Sequence, residues 1–459
     1  MQNNYTRLLL TSFFGFLCFV LQVKAEGTKQ LSPTSTDLVN LNLCSTGYNS
    51  FGRYDGVDNQ RLYIHIKNPS TEQVFLGFSQ PRTSAAYPCT TGNTTAYFRI
   101  KNAAGTVVYP TVGNANGQAI TALIGGWANA VAGPNQIVGT GGYNALVFNP
   151  AGMAAGDYYV EFSKTQGAYN STAFALEWWD ITVATKTPTP VAIDGRVFSK
   201  NWALYTPSIN CSAPTAVCTS ANQFGAYDRA FNGSFHVYSP TDSVVTKVDF
   251  KNSGLQPIAF NLFFNDRGPG NTGNVAADRK SVVAVLAGTS LYPLFLNDPD
   301  PTDYPNGTTG QYGNDLFLVS CDAKTGQFFV TVTKAGQLDV LIDLDKTTPF
   351  KYDKGTRDVV VALKVIPAMG EVPPYKRTIP WDGKDGFGVQ VNLAAPIDYA
   401  VNYGQGIFHL PIFDAEFMTT GFKFSAVRPI PPTNATAINM YYDDTNIVDT
   451  AYNTNTKLN

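Results

Sequence analysis

Two stretches of this 459-residue chain carry residue types able to bind a ligand. In Asn297-Asp298-Pro299-Asp300-Pro301-Thr302-Asp303, three carboxylates (Asp298, Asp300 and Asp303) stand at short spacing on a proline-stiffened loop. Carboxylates gathered this closely supply the hard oxygen ligands that calcium prefers. The same residues also build Asx and proline turns for backbone reasons alone, and the glutamate that closes a calcium loop is missing. The second stretch is Trp178-Trp179. Neighbours on a regular strand face opposite sides, so one core cannot bury both rings. The apolar series changes phase there, from Phe174, Leu176 and Trp178 to Trp179, Ile181 and Val183, as a bulge would allow. An outward indole offers a stacking face to a sugar, and packing at a domain junction is its other use. Calcium on the aspartates and a carbohydrate on Trp178 or Trp179 are therefore the ligand expectations.

Catalytic chemistry has less to stand on. His65, His236 and His409 are the only histidines and lie far apart in sequence. No Gly-x-Ser-x-Gly elbow, HExxH pair, Walker loop or dinucleotide fingerprint occurs. A hydrolase would need two carboxylates converging from separate strands, and nothing selects the pair. The expectation is a protein without catalytic residues. Trp381-Asp382-Gly383-Lys384-Asp385-Gly386 reads as tight turns over a packed indole.

The charge is nearly balanced, 32 Lys+Arg against 34 Asp+Glu, so a nucleic-acid footprint is excluded. Charged residues are only 14% and aromatics 13%, a composition that can bury enough apolar surface to order itself. Arg7 followed by the apolar run Leu8 to Leu21 and a small residue at Ala25 predicts an export leader over residues 1–25, with the mature chain starting at Glu26. No later run is long enough to span a membrane. Export permits disulfides. With Cys18 in the leader, Cys44 and Cys89 are candidates to staple the first domain, and Cys211 and Cys218 to close a short loop. Cys321, in Leu-Phe-Leu-Val-Ser-Cys, is left as a buried thiol.

The elements that must position these residues are strands. Period-2 alternation runs through Arg61 to Lys67, Ala96 to Lys101, Asp157 to Phe162 and Val245 to Phe250. Phe328 to Thr333 and Leu338 to Asp345 read as a hairpin about Lys334-Ala335-Gly336-Gln337, with Leu338, Val340, Ile342 and Leu344 inward and Asp339, Asp343 and Asp345 outward. The fold class is all-β, with antiparallel Ig-like β-sandwiches in tandem. The Pro/Thr run at 184–190 reads as a linker, and the turn at 345–349 opens a third unit. The expected domains are 26–189, 190–346 and 347–446, before a polar tail at 447–459.

Several stretches, taken in order, resemble the large cell-surface adhesins of the Bacteroidetes, many of them gliding-motility-associated and exported by the type IX pathway. They are EGTKQLSPTS (26–35), NQRLYIHIKNP (59–69), GDYYVEFSK (156–164), WWDITVA (178–184), GRVFSKNWALYT (195–206), FLNDPDPTDYPNG (295–307), TIPWDGKDGFGVQV (378–391), LPIFDAEF (410–417) and MYYDDTNI (440–447). The resemblance implies tandem β-sandwich modules at the outer cell surface, secretion machinery as a partner, and adhesion to surface glycans or other cell-surface proteins. It carries no catalytic residues. Members of that family usually run on through further modules to a C-terminal sorting segment, whereas this sequence reaches Asn459 soon after MYYDDTNI.

Overall fold

The computed structural model describes residues 25–83, 91–207, 230–255, 259–268, 272, 278, 291–313, 317–320, 322–353, 355–406, 408–410 and 421–430. The chain is all-β, and among the described residues its α-helices, Thr28–Leu31, Trp127–Ala132 and Asn135–Val138, are four to six residues long. None of the described helices is long and apolar enough to cross a membrane. The helix Trp127–Ala132 carries alanine at 128, 130 and 132 and is bounded by Gly126 and by Gly133 at φ +88°.

A ten-stranded sheet runs in the order Lys423–Arg428, Val244–Asp249, Ser234–Ser239, Leu294–Phe295, Val197–Ser199, Leu62–Ile66, Gly156–Ser163, Tyr97–Lys101 and Val107–Tyr109, with Gln118–Ala119 also on Tyr97–Lys101. Leu62, Ile64 and Ile66 point from it into one continuous core, as the alternation requires. That core also takes Leu41 and Leu43 from a six-stranded sheet, and Val74, Leu76, Ile181 and Val183 from a four-stranded one. Burying each such side chain contributes roughly 1.5–3 kcal/mol before entropy is counted.

This continuity corrects the expected boundary at 189/190. Val197–Ser199 pairs with Leu62–Ile66, so residues on both sides of position 190 share a sheet. The Pro/Thr run is the loop of a hairpin: Val183 faces Ile193, and Thr185 N–H donates to Val191 O at 2.9 Å. Prolines and threonines stiffen a turn as readily as a linker, so composition alone does not separate the two.

The boundary at 346/347 also moves. A second, separate core lies between two three-stranded sheets, Phe317–Val319/Gly326–Val332/Tyr375–Trp381 and Val359–Val365/Gly336–Asp343/Asp398–Gly404. Gly336–Asp343 pairs with Val359–Val365 across the expected boundary. Lys423–Arg428 then returns to the large body and pairs with Val244–Asp249. The small sandwich is thus inserted between strands of the large sheet. Leu338, Val340 and Ile342 are buried as expected and Leu344 partly so, but Asp339 and Asp343, expected outward, are buried too, and Gly326–Val332 and Gly336–Asp343 lie in different sheets and form no hairpin. The tail at 447–459 and the leader up to residue 24 lie outside the described residues.

Candidate functional site

The aspartate loop is built onto the outer face of the ten-stranded sheet. Tyr63, Tyr159, Phe198, Tyr238 and Phe295 form an aromatic layer there, so the face opposite the core is apolar as well. Tyr304 lies over this layer, its ring 4.7 Å from Phe295, 5.3 Å from Tyr238 and 5.4 Å from His65. The three carboxylates fasten the loop at its edges. Asp298 accepts from Arg428 Nε at 2.8 Å, and the same guanidinium donates to the carbonyls of Pro299 and Tyr304. Asp300 meets Lys67 at 3.1 Å and Arg196 at 3.3 Å. Asp303 lies 3.4 Å from His65 Nε2 and 3.5 Å from Lys67. Burial works to raise the Asp300 carboxyl, but the Thr302 donors and Lys67 overcome it and bring the pKa down to about 2.

Each aspartate thus already faces a cation, Arg428 at Asp298, Arg196 and Lys67 at Asp300, and Lys67 again at Asp303. A calcium ion would have to displace these cations. Among the described residues no group of three or more His, Cys, Asp or Glu is placed to hold a metal. Adding calcium, or stripping it with a chelator, should leave the thermal unfolding midpoint where it is. A midpoint that rises with calcium would reinstate the loop as a metal site.

The two tryptophans part company. Trp179 is fully buried, its ring 6.1 Å from Trp202 in the main core, and offers no face to a sugar. Trp178 is half-buried and packs on Ile124, Ala130 and Tyr143. The phase change between them is a change of sheet. Phe174–Leu176 pairs with Asn40–Leu43, whereas Trp179–Thr185 pairs with Glu72–Phe78. Glu177 and Trp178 form the corner.

Cys44 is a buried free thiol whose Sγ donates to Phe162 O at 3.4 Å. Burial pushes its pKa up to about 12, so it is inert as a nucleophile. The expected Cys44–Cys89 staple is therefore absent. Cys89, Cys211, Cys218 and Cys321 lie outside the described residues.

The sequence reading missed the outer end of the small sandwich. There the loops 344–358 and 382–397 touch: Gly386 N–H donates to Arg357 O at 2.9 Å, and Arg357 pairs with Asp385 at 2.9 Å. Phe350, Tyr352, Phe387 and Val389 are 54–63% exposed on them. Three of these four residues are held by a buried carboxylate through their own backbone. Phe350 N–H donates to Asp343, and Phe387 and Val389 N–H donate to Asp385. Asp358 accepts from Leu344, Asp345 and Asp353 N–H; burial works to raise its pKa, and these donors hold it below the ordinary value. The exposed side chains therefore stand on a pinned backbone. Trp381 packs beneath, with its Nε1 donating to Lys384 O at 2.9 Å, as the turn reading expects. The available signal was Phe350 and Tyr352 in a Thr/Pro/Lys/Asp segment with no alternation to carry them inward. The opposite end of this sandwich meets the large body, where Lys364 Nζ donates to Asp266 O at 2.7 Å and Gly406 N–H donates to Asp242 Oδ2.

The geometry defines an all-β protein of the antiparallel sandwich type. Comparison with protein-family models, with curated proteins and with solved structures found no match.

Proposed function

We propose that the chain is an exported, non-catalytic surface protein that works in adhesion or gliding motility, or as an extracellular structural subunit, and that its contact surface is the outer end of the small sandwich. The observation that carries this reading is the set of Phe350, Tyr352, Phe387 and Val389, exposed on backbone tied down by Asp343 and Asp385. Apolar side chains held out on rigid loops lose little entropy on contact. Loops at the end of a sandwich are the usual place for such contacts. Weak tips presented in many copies would add up through effective concentration. The resemblance to Bacteroidetes adhesins supports the same reading, as does the predicted leader. Partners would be surface glycans or other cell-surface proteins. The second reading, a carbohydrate-binding module, moves from the tryptophans to the exposed Tyr352 ring.

Antibody labelling of intact producing cells, with permeabilised cells as control, tests the location. Adhesion is tested with Phe350→Ser/Tyr352→Ser/Phe387→Ser. Binding to cells or glass should fall at least about tenfold with an unchanged unfolding midpoint, since exposed positions contribute little to stability. Full binding by this variant would sink the tip as the contact surface. Inhibition by soluble glycans would select the carbohydrate reading over a protein partner.

A further inference from the structure

The first residue of the expected mature chain is an acid enclosed on every side. Glu26 is fully buried. Its carboxylate accepts from the backbone N–H groups of Gly195, Arg196 and Val197 at 2.9 to 3.1 Å, and from Asn297 Nδ2 at 3.1 Å. Its carbonyl accepts from Ile181 N–H at 3.0 Å, and Gly27 bridges to Asp180. The fit is close: a Cβ on Gly27 would sit 2.4 Å from Trp179 O. Glu26 thus clamps strand Trp179–Thr185 to strand Val197–Ser199.

Beside it lies Asp180, also fully buried. Oδ2 accepts from Tyr143 Oη at 2.6 Å and from Thr182 Oγ1 at 2.8 Å. Oδ1 is buried without a hydrogen-bond partner. Burial drives this carboxyl up to about 7, opposed by Tyr143, Thr182, the main-chain N–H of Glu26 and the charge of Lys29. The bridge between Gly27 and Asp180 sets the Glu26 main chain beside this carboxyl, yet a planar peptide N–H leaves Oδ1 without a hydrogen-bond partner. A buried, half-satisfied carboxylate is costly.

We propose that removal of the leader between Ala25 and Glu26 completes this site by placing the new α-ammonium of Glu26 in a buried ion pair with Asp180. The inference rests on the export reading above. Hydrolysis adds water across the Ala25–Glu26 amide. Ala25 leaves with the carboxylate, and the Glu26 nitrogen becomes an amine that takes a proton at neutral pH. One planar N–H is replaced by three N–H donors free to rotate, so Oδ1 gains its missing partner and the carboxylate gains a counter-charge. Gln30 ties the segment down: Gly27 N–H donates to Gln30 Oε1 at 2.8 Å, and Gln30 Nε2 donates to Ala25 O at 2.7 Å, a bond that cleavage releases, and to Asn297 Oδ1 at 3.2 Å, a bond that it leaves in place. Leader removal then acts as a stability switch for the mature fold rather than a mere trimming.

The test uses the protein purified from its producing cells. N-terminal sequencing should begin at Glu26; any other start overturns the export reading at this bond and the proposal with it. With the start at Glu26, an α-amine-selective acylating reagent at neutral pH should label the native protein at least about tenfold more slowly than the unfolded protein, as a sealed amine requires. Equal rates would overturn the ion pair while leaving the leader reading standing. Chains starting at Glu26 or retaining Ala25 are then compared, each with and without Asp180→Asn. Retaining Ala25 should lower the unfolding midpoint when Asp180 is intact and have a much smaller effect in chains carrying Asp180→Asn. Equal effects in the two backgrounds would overturn the coupling. If Asp180→Asn fails to fold, the labelling ratio of the unsubstituted protein decides alone.

Discussion

Trp179→Ala should cost about 3–5 kcal/mol, the range for truncating a large aromatic side chain in a close-packed core. The ring is completely buried and belongs to an aromatic chain in which Trp202 lies 6.1 Å from Trp179, 5.8 Å from Phe51 and 5.8 Å from Phe235. Its backbone N–H also donates to Thr28 Oγ1 at 2.9 Å, so collapse around the void is limited by the pinned N-terminal segment. Trp178→Ala should cost much less, because that ring is half-buried on the small cluster of Ile124, Ala130 and Tyr143. The measurement is urea unfolding of the full chain followed by circular dichroism. It is read on the transition of the large body, since the small sandwich has its own core and can unfold separately. A sugar-stacking role makes the opposite forecast, with glycan binding lost and stability kept. A near-silent Trp179→Ala would therefore contradict the packing described here.

The contrast between the two tryptophans shows what alternation encodes. Period 2 reports which face of a strand is apolar, and it did so correctly for Leu62, Ile64 and Ile66 and for Leu338, Val340 and Ile342. It does not report which strand lies alongside. Gly326–Val332 and Gly336–Asp343 are consecutive and apolar-inward, as hairpin strands are, yet they line opposite sheets of one sandwich. The phase slip at Trp178 was visible as a slip, but a bulge and a sheet change leave the same trace in sequence. Domain limits failed for the same reason. Sheet partners such as Val197–Ser199 and Leu62–Ile66 are remote in sequence, and neither strand names the other.

Site residues were legible only where their type forces a role. The aspartates of 298–303 were found because three acids on a stiff loop are conspicuous, but their partners Arg196, Arg428 and Lys67 come from parts of the chain remote in sequence. Charge that looked like an invitation to calcium is spent inside the protein. Glu26 looked like no more than a residue after a cleavage point, and only the fold brings three backbone donors to it. The end loops of the small sandwich were hidden for a different reason. Their contact residues are ordinary apolar types, and exposure is a property of the assembled loops.

Arg196 is where the second large loss should appear. Its side chain is 2% exposed, and one guanidinium nitrogen lies 3.2 Å from Glu72 and 3.3 Å from Asp300. Glu72 is itself 4% exposed, and its other oxygen accepts from Lys67 N–H at 2.9 Å. Arg196→Met keeps most of the volume but strands the Glu72 charge in the interior. Breaking a buried pair from one side typically costs about 3–5 kcal/mol, mostly the penalty of the orphaned ion rather than the value of the pair. That reasoning fixes the sign of the second substitution. Adding Glu72→Gln to Arg196→Met removes the orphaned charge while its amide oxygen still accepts from Lys67 N–H, so the double variant should be more stable than Arg196→Met alone. Asp300 retains Lys67 at 3.1 Å in both, so the loop keeps one anchor and Tyr304 stays on the aromatic layer. Urea unfolding of the two single variants and the double variant is the check. A double variant as unstable as the sum of its singles would mean that Arg196 acts by packing alone, without electrostatic coupling to Glu72.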